Sequence, residues 1–111
     1  MEITTKKFKH CDLLSIQGKV DSYTAPDLIN AIEKLNQDGQ FKIVLDFGNL
    51  EYMSSAGFRA LLIGQRNCKR YNRGEIVLAA VPKRIMDALE LTGFTPLFKM
   101  FDDVTAAVGS F

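Results

Sequence analysis

Two apolar runs constrain this chain more than any other feature of it. Phe41 to Phe47 and Glu75 to Val81 are each of strand length and rich in strand formers, with too little polar alternation to lie half exposed. Strands buried on both faces belong inside a sheet, and Phe41 to Phe47 is the expected central strand. A helix-length segment separates the two runs, which points to an α/β layer fold whose sheet is mainly parallel.

The remaining segments continue the alternation. Glu2 to Phe8 and Cys11 to Gln17 flank Lys9-His10 and predict an opening hairpin, hence one antiparallel pair. After Gly18, the segment Val20-Asp21-Ser22-Tyr23-Thr24-Ala25-Pro26 carries helix-start chemistry: Thr24 as a hydroxyl cap, Pro26 in the first turn and Asp27 near the positive end. Leu28, Ile32 and Leu35 then recur at helical spacing until Asp38-Gly39 stops the run. Gly48 to Met53 reads as a connection into a second helix, from Ser54-Ser55-Ala56-Gly57 to about Tyr71. On that helix Gly57, Leu61, Gly64 and Cys68 fall on one line flanked by Phe58, Arg59, Arg66 and Arg70 project elsewhere, and Leu62 and Ile63 are partly exposed. Each glycine costs about 1 kcal/mol of helix propensity, which close approach of the helix to the sheet would offset.

Pro82 opens a third helix with Ile85, Met86 and Leu89 inward and Thr92-Gly93 at its end. Leu97 to Phe101 is the last strand, and Asp102-Asp103 caps a final helix with Val104, Ala107 and Val108 inward. The predicted order is β-β-α-β-α-β-α-β-α: a mixed, mostly parallel sheet in one domain spanning residues 1–111.

Charge narrows the partners. Fourteen basic and 13 acidic side chains leave a net charge of +1 spread over the whole length, so no basic stripe exists to neutralise a phosphate backbone, and nucleic acid is not an expected partner. The opening residues lack the apolar stretch of a signal peptide, and no run approaches the roughly 20 apolar residues of a membrane helix. A cytoplasmic protein with no membrane partner is expected. Cys11 and Cys68 stand far apart with no Cys-x-x-Cys or Cys/His spacing. A disulfide stays open on spacing alone, but a reducing compartment favours two buried thiols, and no metal site or cofactor is expected.

The chemistry-bearing stretch runs from Ile43 through Asp46, Tyr52-Met53 and Ser54-Ser55-Ala56-Gly57 to Leu62. It sets a serine pair where the central strand has ended and a helix begins. The first amides of a helix are unpaired and its dipole is positive there, so a phosphate on Ser55 would meet ready donors. Phosphorylation would add about −1.5 to −2 charge and three acceptor oxygens without changing the fold. The plainer role for such a serine is a helix cap. Asp21 is a turn residue on the plain reading, yet it should lie at the same end of the sheet as Ser55 and share a docking surface with it. Asp46 reads as a structural strand-end residue, and His10, the sole histidine, as a solvated turn residue.

This stretch resembles the signature of the STAS domain of anti-sigma factor antagonists: a strand ending in Asp, a short turn, an aromatic or aliphatic pair, then Asp-Ser-Ser/Ala-Gly-Leu opening a helix. Asp46, Tyr52-Met53 and Ser55-Ala56-Gly57-Phe58 match in order and spacing. Gln17-Gly18-Lys19-Val20-Asp21, with Ala25 and Leu28, resembles the family's second strand and the approach to its first helix. Val81-Pro82-Lys83-Arg84-Ile85 through Leu91-Thr92-Gly93-Phe94 resembles its third helix and the turn after it.

The resemblance implies a STAS-like single sheet with helices packed against it, and Ser55 as phosphoacceptor. It implies a partner surface of Asp21, Ser22, Ser54, Ser55, Ala56 and Gly57. It further implies an anti-sigma factor that is itself a serine kinase, bound while Ser55 is unmodified and released once it is phosphorylated, a serine phosphatase that resets the switch, and a chain that is monomeric when free and no enzyme. Ser54 stands where the family usually has Asp, which removes a charge from the docking surface and supplies an alternative hydroxyl.

Within the family, a scaffold or signalling subunit without a phosphoswitch is the alternative. Outside it, a serine hydrolase would need Gly-x-Ser-x-Gly and a base, and the only histidine lies in the opening hairpin. A phosphoaspartate receiver with Asp46 as acceptor would need an acidic pair at the end of the first strand, where Phe8-Lys9-His10 stands instead.

Overall fold

The opening residues pair as a hairpin in the structure, a computed structural model that describes residues 1–111. β1 (Glu2–Lys7) runs antiparallel to β2 (Asp12–Val20), with Glu2 opposite Gln17 and Lys7 opposite Asp12. β3 (Lys42–Asp46) lies parallel to β2, and β5 (Glu75–Ala79) lies parallel to β3. β6 (Lys99–Phe101) completes the parallel part, giving the order β1-β2-β3-β5-β6 with β3 in the middle, as its continuous apolar run requires.

The helices are α1 (Ala25–Gln37), α2 (Ser55–Lys69), α3 (Lys83–Thr92) and α4 (Val104–Gly109). Alternate residues of each central strand face opposite ways, so the sheet has two cores. Leu14, Ile16, Ile43, Leu45, Ile76 and Leu78 pack beneath α1, α2 and α3, against Leu28, Ile32, Leu61, Cys68 and Leu89. Leu13, Val44, Val77 and Ala79 face the other side, where Ala107 of α4 covers them. Both cysteines are buried free thiols, and no helix is long and apolar enough to cross a membrane.

Several boundaries depart from the sequence reading, each for a local reason. Gly48 to Met53 is not merely a connection: Leu50–Met53 forms a further strand, β4, parallel to the end of β2. Its four residues run buried, exposed, exposed, buried, too short and irregular to register as alternation. β2 accordingly extends past Gln17 to Val20, through Gly18 at φ +87° and a register shift between Gly18 and Lys19. That bulge turns the strand from β3 toward β4.

α2 stops at Lys69, where a short 3-10 turn takes over and Tyr71 and Asn72 adopt positive φ of 59° each. Thr95–Leu97 is a 3-10 turn, so the last strand starts at Lys99 and not at Leu97. The ends of α3 and α4 follow expectation. Gly93 closes α3 at φ 77°, and the Asp103 carboxylate accepts from the Ala106 amide.

The two glycines of α2 lie where close approach was expected. A Cβ on Gly64 would sit 3.0 Å from both Ile32 Cδ1 of α1 and Ile76 Cδ1 of β5. One on Gly57 would sit 2.5 Å from Met53 Cγ and 3.0 Å from Val20 Cγ1. The glycines let α2 lie low on the sheet, which brings its first turn against the ends of β2 and β4.

Candidate functional site

β2 and β4 end side by side, with Val20 paired to Met53, and each leads directly into a helix. β2 turns through Asp21 into α1; β4 turns through Ser54 into α2. The Ser54 amide donates to the Val20 carbonyl at 2.8 Å, which continues the ladder by one bond and ties the two turns together. The expectation that Asp21 lies at the same end of the sheet as Ser55 follows directly from this pairing.

On the α1 side the turn is built around the Asp21 carboxylate. Its Oδ1 accepts from the Tyr23 amide at 3.0 Å, the Thr24 amide at 2.9 Å and the Thr24 hydroxyl at 3.1 Å. The Thr24 hydroxyl in turn accepts from the Asp21 amide at 2.9 Å. Thr24 does stand at the N-cap position, but its side chain bonds back to Asp21 and not to the helix amides. These donors, the Thr24 amide first and its hydroxyl second, hold the Asp21 carboxyl below the ordinary carboxylate value. The turn leaves Ser22 exposed and Tyr23 89% exposed beside it, an aromatic that the sequence reading did not single out.

On the α2 side the two serines divide the work. Ser54 is the N-cap residue, with extended backbone (φ −80°, ψ 172°) and a carbonyl that accepts the first helical bond, from the Phe58 amide at 3.1 Å. Its hydroxyl makes no capping bond and is buried without a hydrogen-bond partner. Ser55 is the first helical residue and is exposed. Its own amide and those of Ala56 and Gly57 lie ahead of the helical ladder, at the positive end of the dipole. The cap position belongs to Ser54, so the plain role of a helix cap does not account for Ser55.

α1 and α2 lie against one another, and between their first turns runs a groove of about 350 Å³. Ser22, Pro26 and Ile29 line one wall; Ser55, Arg59 and Ile63 line the other. Of the residues expected to meet a partner, Asp21, Ser22 and Ser55 are exposed, Ser54 and Ala56 are half-buried, and Gly57 is buried beneath Met53 and Val20. Ile29, Arg59 and Ile63 join the site only because the two helices pack together.

The other candidates fall elsewhere. Asp46 is half-buried at the end of β3, and its carboxylate accepts from the Ser15 hydroxyl at 3.1 Å and the Gly48 amide at 2.9 Å, as a structural strand-end residue would. His10 is exposed in the hairpin turn. No three His, Cys, Asp or Glu side chains stand together in a way that could hold a metal ion.

Comparison with known proteins gives a consistent set. The model of the STAS domain family matches residues 2–107. BtrV of Bordetella bronchiseptica, described as a candidate anti-sigma factor antagonist, is 30% identical over 111 residues, which cover 100% of this chain and 95% of that protein. The anti-sigma-B factor antagonist of Staphylococcus aureus is 31% identical over 84 residues, 76% of this chain and 77% of that one. The solved structure of the Bacillus cell fate determinant SpoIIAA in its phosphorylated form shares the fold, with a TM-score of 0.77 at 15% identity over 98% of both chains.

Proposed function

The chain belongs to the STAS domain family, and from that premise we propose that it is an anti-sigma factor antagonist whose binding is switched at Ser55. The unmodified protein binds an anti-sigma factor that is also a serine kinase; the phosphorylated protein lets it go. The observation that carries this is the division between the two serines. Ser55 presents an exposed hydroxyl at the mouth of the groove between α1 and α2, while the Ser54 hydroxyl, the alternative acceptor, is buried beneath the corner.

The chain is a binding module and the substrate of the chemistry. The kinase transfers the γ-phosphoryl of ATP to Ser55 Oγ, forming one P–O bond as the bond to ADP breaks and the hydroxyl proton leaves. A serine phosphatase hydrolyses the ester and restores the hydroxyl. The partner rests on the exposed Asp21, Ser22 and Ser55 with Ala56, while Ser54 and Gly57 support that surface from below. A dianion placed in a contact built for a neutral hydroxyl loses hydration it does not recover, and about every 1.4 kcal/mol lost weakens affinity tenfold. The free chain acts as a monomer in the cytoplasm.

A phosphoaspartate role is disfavoured because Asp46 already spends its carboxylate on Ser15 and Gly48. The test is phosphopeptide mapping after incubation with the cognate kinase and ATP. Phosphate on Ser55 is expected. Phosphate on Ser54 alone, or on neither serine, overturns the proposal and leaves a STAS scaffold without a phosphoswitch.

A further inference from the structure

Arg59 stands four residues after Ser55 on α2, and both line the same groove. Side chains so spaced on a helix are neighbours, with Cβ atoms about 5–6 Å apart, and a pair with the acid N-terminal to the base is the favourable arrangement. Arg59 is exposed and makes no side-chain hydrogen bond within the chain, whose only ion pairs are Lys83 with Asp87 and Lys99 with Glu75. The first turn of α2 holds no acidic residue. Arg66, Arg70 and Arg84 are likewise without a side-chain partner but line no part of this groove, and Arg73 is engaged elsewhere, donating to the Asn67 and Arg70 carbonyls and stacking 3.9 Å over the Phe41 ring. Arg59 is a free guanidinium fork in a groove that otherwise offers hydroxyls and apolar carbon.

We propose that Arg59 receives the phosphate on Ser55, so that modification both adds a dianion and withdraws a cation from the docking groove. This rests on the phosphoswitch proposed above. Guanidinium is the side chain best matched to phosphate, through two parallel charge-assisted hydrogen bonds. In the unmodified protein the fork is free to meet a carboxylate of the partner. After phosphorylation it turns back one helical turn onto its own chain, and the partner loses that contact in addition to meeting the new charge. Ser55→Glu, which is shorter and singly charged, reproduces only part of this.

The test needs no kinase. Phosphoserine is installed at position 55 during synthesis, and its second ionisation, ordinarily near about 6, is followed by ³¹P NMR against pH. The parent is expected to titrate several tenths of a unit below Arg59→Gln, with Arg59→Lys in between, and the Arg59 Nε–H signal is expected to shift only in the phosphorylated protein. The unphosphorylated Arg59→Gln protein should melt with the parent, because the side chain is exposed. Equal ³¹P midpoints in the parent and Arg59→Gln overturn the inference. Failure of a kinase to label Ser55 would instead overturn the phosphoswitch and leave this titration standing.

Discussion

The amide of Ser54 donates to the carbonyl of Val20 at 2.8 Å. Asp21 follows one of these residues and Ser55 the other, so this ladder bond ties together the two halves of the proposed docking corner. Neither half can move without breaking the parallel pairing of β2 with β4. A surface held this way before binding has little ordering entropy left to lose on contact.

Glycines set how low α2 lies on the sheet. Gly57→Leu and Gly64→Leu should each lose roughly 1–3 kcal/mol, because the added carbons meet Met53 and Val20 in one case and Ile32 and Ile76 in the other. Gly74→Ala should also destabilise despite adding one carbon, since its methyl would run into the backbone of Phe41, which cannot swing aside. Arg66→Ala, on the exposed face, should stay within about 0.5 kcal/mol of the parent. Urea unfolding of the four variants checks this, and equal midpoints would show the buried face to be misassigned.

Gln65 is 3% exposed in the core, where its carbonyl accepts from the Ile76 amide at 2.6 Å and its amide donates to the Ile76 carbonyl at 3.0 Å and the Leu97 carbonyl at 2.8 Å. It fastens α2 to the starts of β5 and the turn before β6. Gln65→Leu should lose about 3 kcal/mol by leaving those backbone groups unpaired in a dry site. Denaturant unfolding with an unchanged slope would confirm a loss confined to the native state.

Gln65 also shows where sequence reading ends. Central strands and helices were legible because burial writes itself into local periodicity: Ile43, Val44 and Leu45 declare a strand buried on both faces by themselves. Gln65 sits on a helix like any polar residue, and its partners are 11 and 32 positions away. β4 escaped for the same reason, since Leu50 pairs with Gly18, and Met53 pairs with Val20 and lies against Gly57 of α2, all distant from them in sequence or in another element. That Asp21 and Ser55 lie at the same end of the sheet was legible through the motif and strand ends around them. Their separate surroundings were not: whether Ser54 or Ser55 takes the cap position depends on one backbone angle, and Arg59 comes to line one groove with Ser22 only after two helices have packed.

The Asp21 turn should respond to acid in a defined direction. Hydrogen bonds from Thr24 favour the carboxylate, so the folded value lies below the unfolded value of about 3.9. The contribution is complete above the unfolded value and is lost as pH falls through the lower folded one. A ¹³C titration of the Asp21 carboxyl should give a midpoint below about 3.9, and Thr24→Val, which removes the hydroxyl donor, should raise it. A midpoint at the ordinary value in the parent would mean the turn is not held in solution.

Ser55 variants test the switch itself. The exposed hydroxyl carries no capping bond, so Ser55→Ala should fold and melt like the parent, bind the anti-sigma kinase, and fail to be released on incubation with ATP. Ser55→Glu should keep the parent's melting point while binding at least tenfold more weakly, about 1.4 kcal/mol, because a charge enters a contact made for a hydroxyl. Authentic phosphoserine should weaken binding further than Glu does, having about twice the charge. Asp21→Ala should weaken binding by loosening the adjoining turn without unfolding the sheet, since the carboxylate's partners are confined to residues 23 and 24. Calorimetric titration of each variant into the partner at fixed salt and nucleotide ranks them. If phosphoserine and Ser55→Glu both bind as tightly as the unmodified chain, Ser55 is not a switch.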